Sequence, residues 1–363
     1  MFERLSAYTD SFLNLGIPGY DCIIYRDGLK IYRRFRGYSD RERGILMNGK
    51  ERYRLYSCSK PVTCIAALQL YEKGLFGLED DLADYMPEFG QMYVRQSLGG
   101  SGRSLTRPAK KRIRIRDLFC MTAGLSYGPY ECIRDVEETR ERCGTRELVR
   151  RLAGEPLLFE PGERWEYSYC HDVLAALVEV ISKERFSQYV EKHIFKPLSM
   201  ERSTFCLPAE EEDTLAQQYH YSKEAGEAKV CGRKMHGDLG SEYESGGGGL
   251  VSTVEDYIRF LEALRTGRIL KKETVDLMCA NQLTREQLRG FWLERYGYGL
   301  GVRCPIENSD VTDFGWDGLA GSYLAVDRAH GISVFYAQHV VESPVSSYSG
   351  DIIRYVLEEL NQA

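Results

Sequence analysis

Apolar and polar positions along this chain follow two different periods, and the period changes twice. Residues 20–38 carry β-branched and aromatic side chains on either side of Asp27-Gly28, a pair suited to a two-residue hairpin turn. Residues 57–73 change to helical spacing through Val62, Ile65, Ala66, Leu68 and Leu70, with Gly74 placed as a C-terminal stop. From about 113 to 200 the pattern is helical without strand character, and Leu174, Leu177, Val178 and Ile181 form an apolar stripe that reads as core. Residues 95–114 are polar, Gly-rich and basic, and 207–245 are polar and irregular; both predict loops. Gly246, Gly247, Gly248 and Gly249 predict a tight turn feeding a helix, because Thr253 precedes Val254-Glu255-Asp256 as an N-cap precedes an acidic first turn. Strand character returns at 298–303, 322–326 and 332–337, and a last helix covers about 348–361.

This order predicts an α+β fold. The N- and C-terminal strands join in one central antiparallel sheet flanked by helices, and an all-helical lobe is inserted between them. One catalytic domain is expected over 1–363, with an α/β lobe at about 1–75 plus 245–363 and a mainly helical lobe at 76–244. A hydrophobic share of 43% and a charged share of 28% are those of a globular protein. The net charge of −6 argues against nucleic acid or an anionic membrane as partner. No apolar run approaches the roughly 18 residues of a membrane span, and no basic segment leads into an apolar leader after Met1. Eleven cysteines, an odd count without a CxxC pair, read as reduced buried thiols rather than a disulfide framework or a zinc site. A cytoplasmic location follows as an expectation. Cys58 reads as packing, since no histidine stands near it in sequence.

Candidate chemistry begins at Ser57-Cys58-Ser59-Lys60, an S-x-x-K pattern opening the helix. Positions i and i+3 share a helical face, so the Lys60 amine can reach the Ser57 hydroxyl, and serine needs such a neighbouring base to become a nucleophile. By itself so short a pattern arises often by chance. Further segments add to it: 75–89 (LFGLEDDLADYMPEF), 116–125 (RDLFCMTAGL), 161–168 (PGERWEYS) and 247–256 (GGGLVSTVED).

In this order these segments resemble those of the serine β-lactamase and penicillin-binding-protein superfamily. The resemblance runs from about residue 15 to 355 and is of the class C β-lactamase type. The match is nearest to family VIII carboxylesterases, whose Y-S-x-x-x-D sequence Tyr167-Ser168 and Asp172 resemble. It implies that Ser57 is the nucleophile and that Lys60 and Tyr167 are its proton-handling partners. The backbone N–H groups of Ser57 and Leu319 would form the oxyanion hole. Tyr169 stands where the family carries the asparagine of Y-x-N. Trp316-Asp317-Gly318 stands where β-lactamases carry K-T-G, so Tyr169, Trp316 and Gly318 are expected at the substrate. Gly318 would let substrate approach the strand edge closely. Asp172 is expected to cap the following helix, and His171 to be structural.

An acyl-enzyme hydrolase of esters or amides is therefore expected, a carboxylesterase first. A β-lactamase or D-alanyl peptidase is the second reading, disfavoured by loss of the K-T-G lysine and the Y-x-N asparagine. A non-catalytic sensor module is the third. The expected partner is a small-molecule ester or amide, with no cofactor and no metal, and the oligomeric state stays open. Loops near 90–110, 125–145 and 207–245 are expected to shape the pocket.

Overall fold

The computed structural model describes residues 2–96, 105–128, 130–139, 142–231 and 242–362. Its frame is an eight-stranded sheet. In chain order the strands are β1 (Gly19–Arg26), β2 (Leu29–Asp40), β3 (Ile45–Leu46), β4 (Tyr296–Tyr298), β5 (Arg303–Pro305), β6 (Phe314–Asp317), β7 (Tyr323–Asp327) and β8 (Ile332–Ala337). They lie in the order β4-β5-β6-β7-β8-β1-β2-β3, every neighbouring pair antiparallel. The two ends of the chain meet where β1 pairs with β8, Asp21 opposite Ala337 and Arg26 opposite Ile332. The expected union of terminal strands in one antiparallel sheet is thus what the chain forms.

Both faces of this sheet are covered, so its central strands are buried in continuous runs rather than in alternation. Cys22 and Ile24 of β1 pack with Leu5, Phe12, Ile352 and Val356, from the N-terminal helix Glu3–Ser11, the turn after it and the C-terminal helix Asp351–Leu360. Ile23 points the other way, into a larger core with Ile258 and Leu261 of the helix Val254–Arg265 and with Val62 and Ile65 of the helix Ser59–Glu72. Asp27 and Gly28 both take positive φ, 50° and 83°, as the predicted two-residue turn requires. Thr253 caps Val254–Arg265 by accepting the Asp256 N–H at 3.1 Å.

Three loop or strand expectations are corrected. The basic stretch after residue 92 contains a strand pair, Tyr93–Gln96 against Leu105–Pro108, and residues 97–104 lie outside the described residues. The stretch 207–245 contains a hairpin, Tyr219–Ser222 with Glu227–Val230, which runs beside Val340–Val341. Tyr219 and Ala228 bury themselves in the core of the N- and C-terminal helices, so this hairpin packs on the sheet side. The run 298–303 is two strands with a turn between them, closed by Gly299 N–H to the Val302 carbonyl at 2.8 Å. A side chain at Gly299 would meet the Met278 carbonyl at 2.0 Å, which explains why a strand-like sequence holds a glycine there.

The helix Ser59–Glu72 is buried from Ser59 to Leu68 and shares its core with the helix Cys170–Ser182. The first begins just after Ser57 and the second just after Tyr167 and Tyr169. Packing these two helices together therefore brings distant segments of the chain to one place.

Candidate active site

Ser57 is presented by a strained turn. The short strand Arg52–Arg54 pairs with Val251–Thr253, and Leu55 N–H continues to the Leu250 carbonyl at 2.9 Å. Tyr56 then takes φ +46°, a left-handed conformation that costs a bulky residue about 1–3 kcal/mol. Its hydroxyl is held by Gln218 Oε1 at 3.2 Å, and its ring packs with Ala320 and Val341. Ser57 sits in the single 3-10 turn Tyr56–Cys58 that follows, and the α-helix starts only at Ser59. The serine thus precedes the helix it was expected to open. Ser59 locks the turn by donating to the Tyr56 carbonyl at 2.5 Å and accepting the Leu250 N–H at 2.9 Å.

Lys60 is 1% exposed. Its Nζ reaches the Gly247 carbonyl at 2.7 Å, Tyr127 Oη at 3.1 Å and Ser57 Oγ at 3.3 Å. It also lies 4.4 Å from the centre of the Tyr167 ring. A buried amine is tolerable only with its hydrogen bonds made, and here they are. Tyr127 was not singled out in the sequence. Burial pushes its phenol well above the ordinary range, so it stays neutral. Among 25 tyrosines nothing local distinguishes it; only its place just after the matched segment 116–125 could have drawn attention.

Tyr167 presents its ring to Lys60, while its hydroxyl takes a hydrogen bond from Trp316 Nε1 at 3.2 Å. Tyr169 packs edge-to-face on Tyr127 at 4.6 Å, and both line the cleft over Ser57. Trp316 is placed differently from the expectation. It is buried behind Tyr167 against Tyr298, and its one donor is spent on Tyr167 rather than turned to the cleft. Trp316→Phe keeps the ring and removes that bond. Loss of the bond is expected to lower stability by about 0.5–1.5 kcal/mol, as urea denaturation would show.

Gly318 also has another reason than substrate access. A Cβ there would stand 2.1 Å from Ser322 Oγ and 2.5 Å from the Leu55 carbonyl, so the glycine permits the turn after β6 to pack on the Ser57 turn. Ser322 Oγ contacts the Leu55 carbonyl at 3.4 Å and Cys58 Sγ at 3.3 Å, and Gly318 N–H closes the turn on the Ser322 carbonyl at 2.8 Å. Leu319, at the tip, lines the cleft opposite the tyrosines.

Asp172 does not cap the helix Cys170–Ser182; it lies inside the first turn and accepts hydrogen bonds from Tyr243, Ser245 and Gly247. Of the three loop regions expected to shape the cleft, 125–145 contributes Tyr127 and 207–245 contributes Tyr243 and Ser245, while no described residue of 90–110 lines it. The cleft measures about 240 Å³. Among the described residues no cluster of His, Cys, Asp and Glu is arranged to hold a metal ion, and no helix is long and apolar enough to cross a membrane.

His171 lies beneath the site, fully buried, with Nε2 at 3.3 Å from the Phe119 carbonyl and Cys64 Sγ beside the ring. Burial, with the nearby Lys60 charge, lowers its pKa to about 3. Below about pH 6.5 the unfolded chain takes up a proton that the folded ring refuses, so this contribution to stability is complete above that pH and lost as pH falls toward 3. The drop in urea midpoint between pH 7 and pH 5 is expected to be smaller in His171→Gln than in the parent; an equal drop would contradict this.

A match to the Beta-lactamase family covers residues 4–352. The chain belongs to the beta-lactamase family. Within it, the chain is similar to Protein Rv1367c of Mycobacterium tuberculosis, at 29% identity over 86% of this chain and 83% of that protein. It is also similar to Esterase EstB of Burkholderia gladioli, at 29% identity over 91% and 88% of the two chains. Among solved structures it resembles EstCE1, described as a hydrolase with promiscuous acyltransferase activity, with a TM-score of 0.79 and 26% identity over 98% and 97%. The mixed α/β architecture with its large antiparallel sheet is that of this beta-lactamase-type serine hydrolase superfamily, as the sequence segments had implied.

Proposed function

We propose that this beta-lactamase family member is a carboxylesterase that cleaves small uncharged esters through an acyl-enzyme on Ser57. One observation carries the reading: the Ser57–Lys60 contact opens on a small cleft walled by Tyr56, Tyr127, Tyr167, Tyr169, Tyr243 and Leu319, with no cationic side chain in its described lining. At about 240 Å³ the cleft falls below the usual range for drug-sized ligands, which favours short acyl groups. The similarity to an esterase and to a hydrolase supports the same reaction class.

In the proposed reaction Ser57 Oγ attacks the ester carbonyl as its proton passes to Lys60 Nζ. A neutral amine has two N–H groups and one lone pair. Gly247 O and Tyr127 Oη take the two N–H groups, which leaves the lone pair for Ser57. The oxyanion would rest on the N–H groups of Ser57 and Leu319. Tyr167, its hydroxyl held by Trp316, is the proposed donor to the leaving alcohol, and water then releases the acid. Burial of seven of the eleven cysteines fits a reducing compartment, and we place the enzyme in the cytoplasm.

Hydrolysis of p-nitrophenyl acetate and butyrate, compared with nitrocefin, tests the proposal. Ester turnover with little nitrocefin cleavage is expected. Dominant nitrocefin cleavage would favour the β-lactamase reading, and turnover of neither would favour a non-catalytic module.

A further inference from the structure

Asp172 is 1% exposed, in the first turn of the helix that follows Tyr167. A buried carboxylate is costly unless it is well bonded. All its hydrogen bonds go to one short segment. Oδ1 accepts from Tyr243 Oη at 2.6 Å, Ser245 Oγ at 2.7 Å and Gly247 N–H at 3.2 Å, while Oδ2 has no hydrogen-bond partner among the described residues. Gly247 is the residue whose carbonyl makes the shortest of Lys60's contacts, 2.7 Å. A Cβ on Gly247 would lie 2.6 Å from both Asp172 Oδ2 and Tyr127 Oη. Glycine at that position therefore lets carboxylate, phenol and amine crowd into one space.

We propose that Asp172 is a positioning residue: by holding Gly247 it sets where Lys60 Nζ stands against Ser57 Oγ, and its charge favours the ammonium formed when Lys60 takes the serine proton. The role rests on the hydrolysis proposed above. The proton leaves Ser57 Oγ as the Oγ–carbonyl bond forms and resides on Lys60; when the ester C–O bond breaks, Tyr167 gives its own proton to the alcohol and takes the Lys60 proton in its place. Asp172 exchanges no proton in this sequence.

Two variants assayed with p-nitrophenyl butyrate test this. Asp172→Ala frees the turn and is expected to lower kcat about 100-fold, with KM little changed. Asp172→Asn keeps an acceptor in place of Oδ1 but removes the charge. Its kcat is expected to fall about 10-fold, a partial rescue relative to alanine, again with KM little changed. A folded variant with the parent kcat, or a loss confined to KM, would overturn the proposal. If the alanine variant does not fold, the asparagine variant decides alone. Ser57→Ala separates the two failures. Turnover retained there removes the hydrolysis itself; turnover lost there, with the Asp172 variants unaffected, removes only the positioning role.

Discussion

Alanine at position 57 is expected to lower kcat for short-chain esters by about 10⁴-fold or more, with the melting temperature of the protein unchanged. The hydroxyl lines the cleft within reach of the Lys60 amine, at 3.3 Å. Its removal costs the fold little, because Lys60 keeps its contacts to Gly247 and Tyr127 and the turn is held by Ser59 and Tyr56. The neighbouring thiol cannot substitute. Cys58 is buried, and burial pushes its pKa up to about 12, so it supplies no thiolate at neutral pH. Steady-state kinetics beside thermal melting checks both halves of the expectation. Substantial turnover in a folded Ser57→Ala protein would place the nucleophile elsewhere.

Lys60→Met is expected to produce the second-largest loss, about 10³-fold in kcat. Methionine nearly matches lysine in length and keeps contact with the rings of Tyr127 and Tyr167, so packing around the site is preserved. What disappears is the proton acceptor. The Gly247 carbonyl, buried and bonded to Nζ in the parent, loses that partner at a cost of about 1–3 kcal/mol. Replacing a buried polar amine with an apolar thioether offsets part of that cost, so the urea midpoint is expected to move only modestly. Lys60→Arg is the sharper control. A guanidinium keeps the positive charge but does not give up its proton at working pH. Activity restored by arginine would show that the charge alone is needed; no rescue is the result expected if Lys60 moves the proton.

Much of the fold was legible because its signals are local. Asp27-Gly28 fits the only kind of turn that joins two such strands tightly, and Thr253 with Asp256 forms a cap that requires nothing beyond four residues. The meeting of the terminal strands followed from their having no nearer partners of the same character. Short strands were harder. Tyr219–Ser222 and Glu227–Val230 are four residues each, too short for alternation to stand out, and they become strands by docking on Val340–Val341 far along the chain. Glycines at 299 and 301 turned one apparent strand into a hairpin, for a reason lying in the Met278 carbonyl and the Cys64 side chain.

The site divides the same way. Ser57 and Lys60 are three residues apart, so their meeting was readable from spacing. Tyr127 and the Tyr243–Gly247 segment reach the site only through the packing of the helices that follow Ser57 and Tyr167, which no local pattern encodes. Trp316 and Gly318 were placed at the substrate because of where they stand in the matched segments. Side-chain direction is not in that pattern: in the structure the indole turns to Tyr167, and the glycine makes room for Leu55 and Ser322.

Covalent trapping tests the central claim most directly. Treatment with a fluorophosphonate, followed by proteolysis and mass spectrometry, is expected to give one adduct on the peptide containing Ser57, formed at a rate that falls in Lys60→Met and absent in Ser57→Ala. An adduct on another residue, or ester hydrolysis that continues with Ser57 unmodified, would contradict the account.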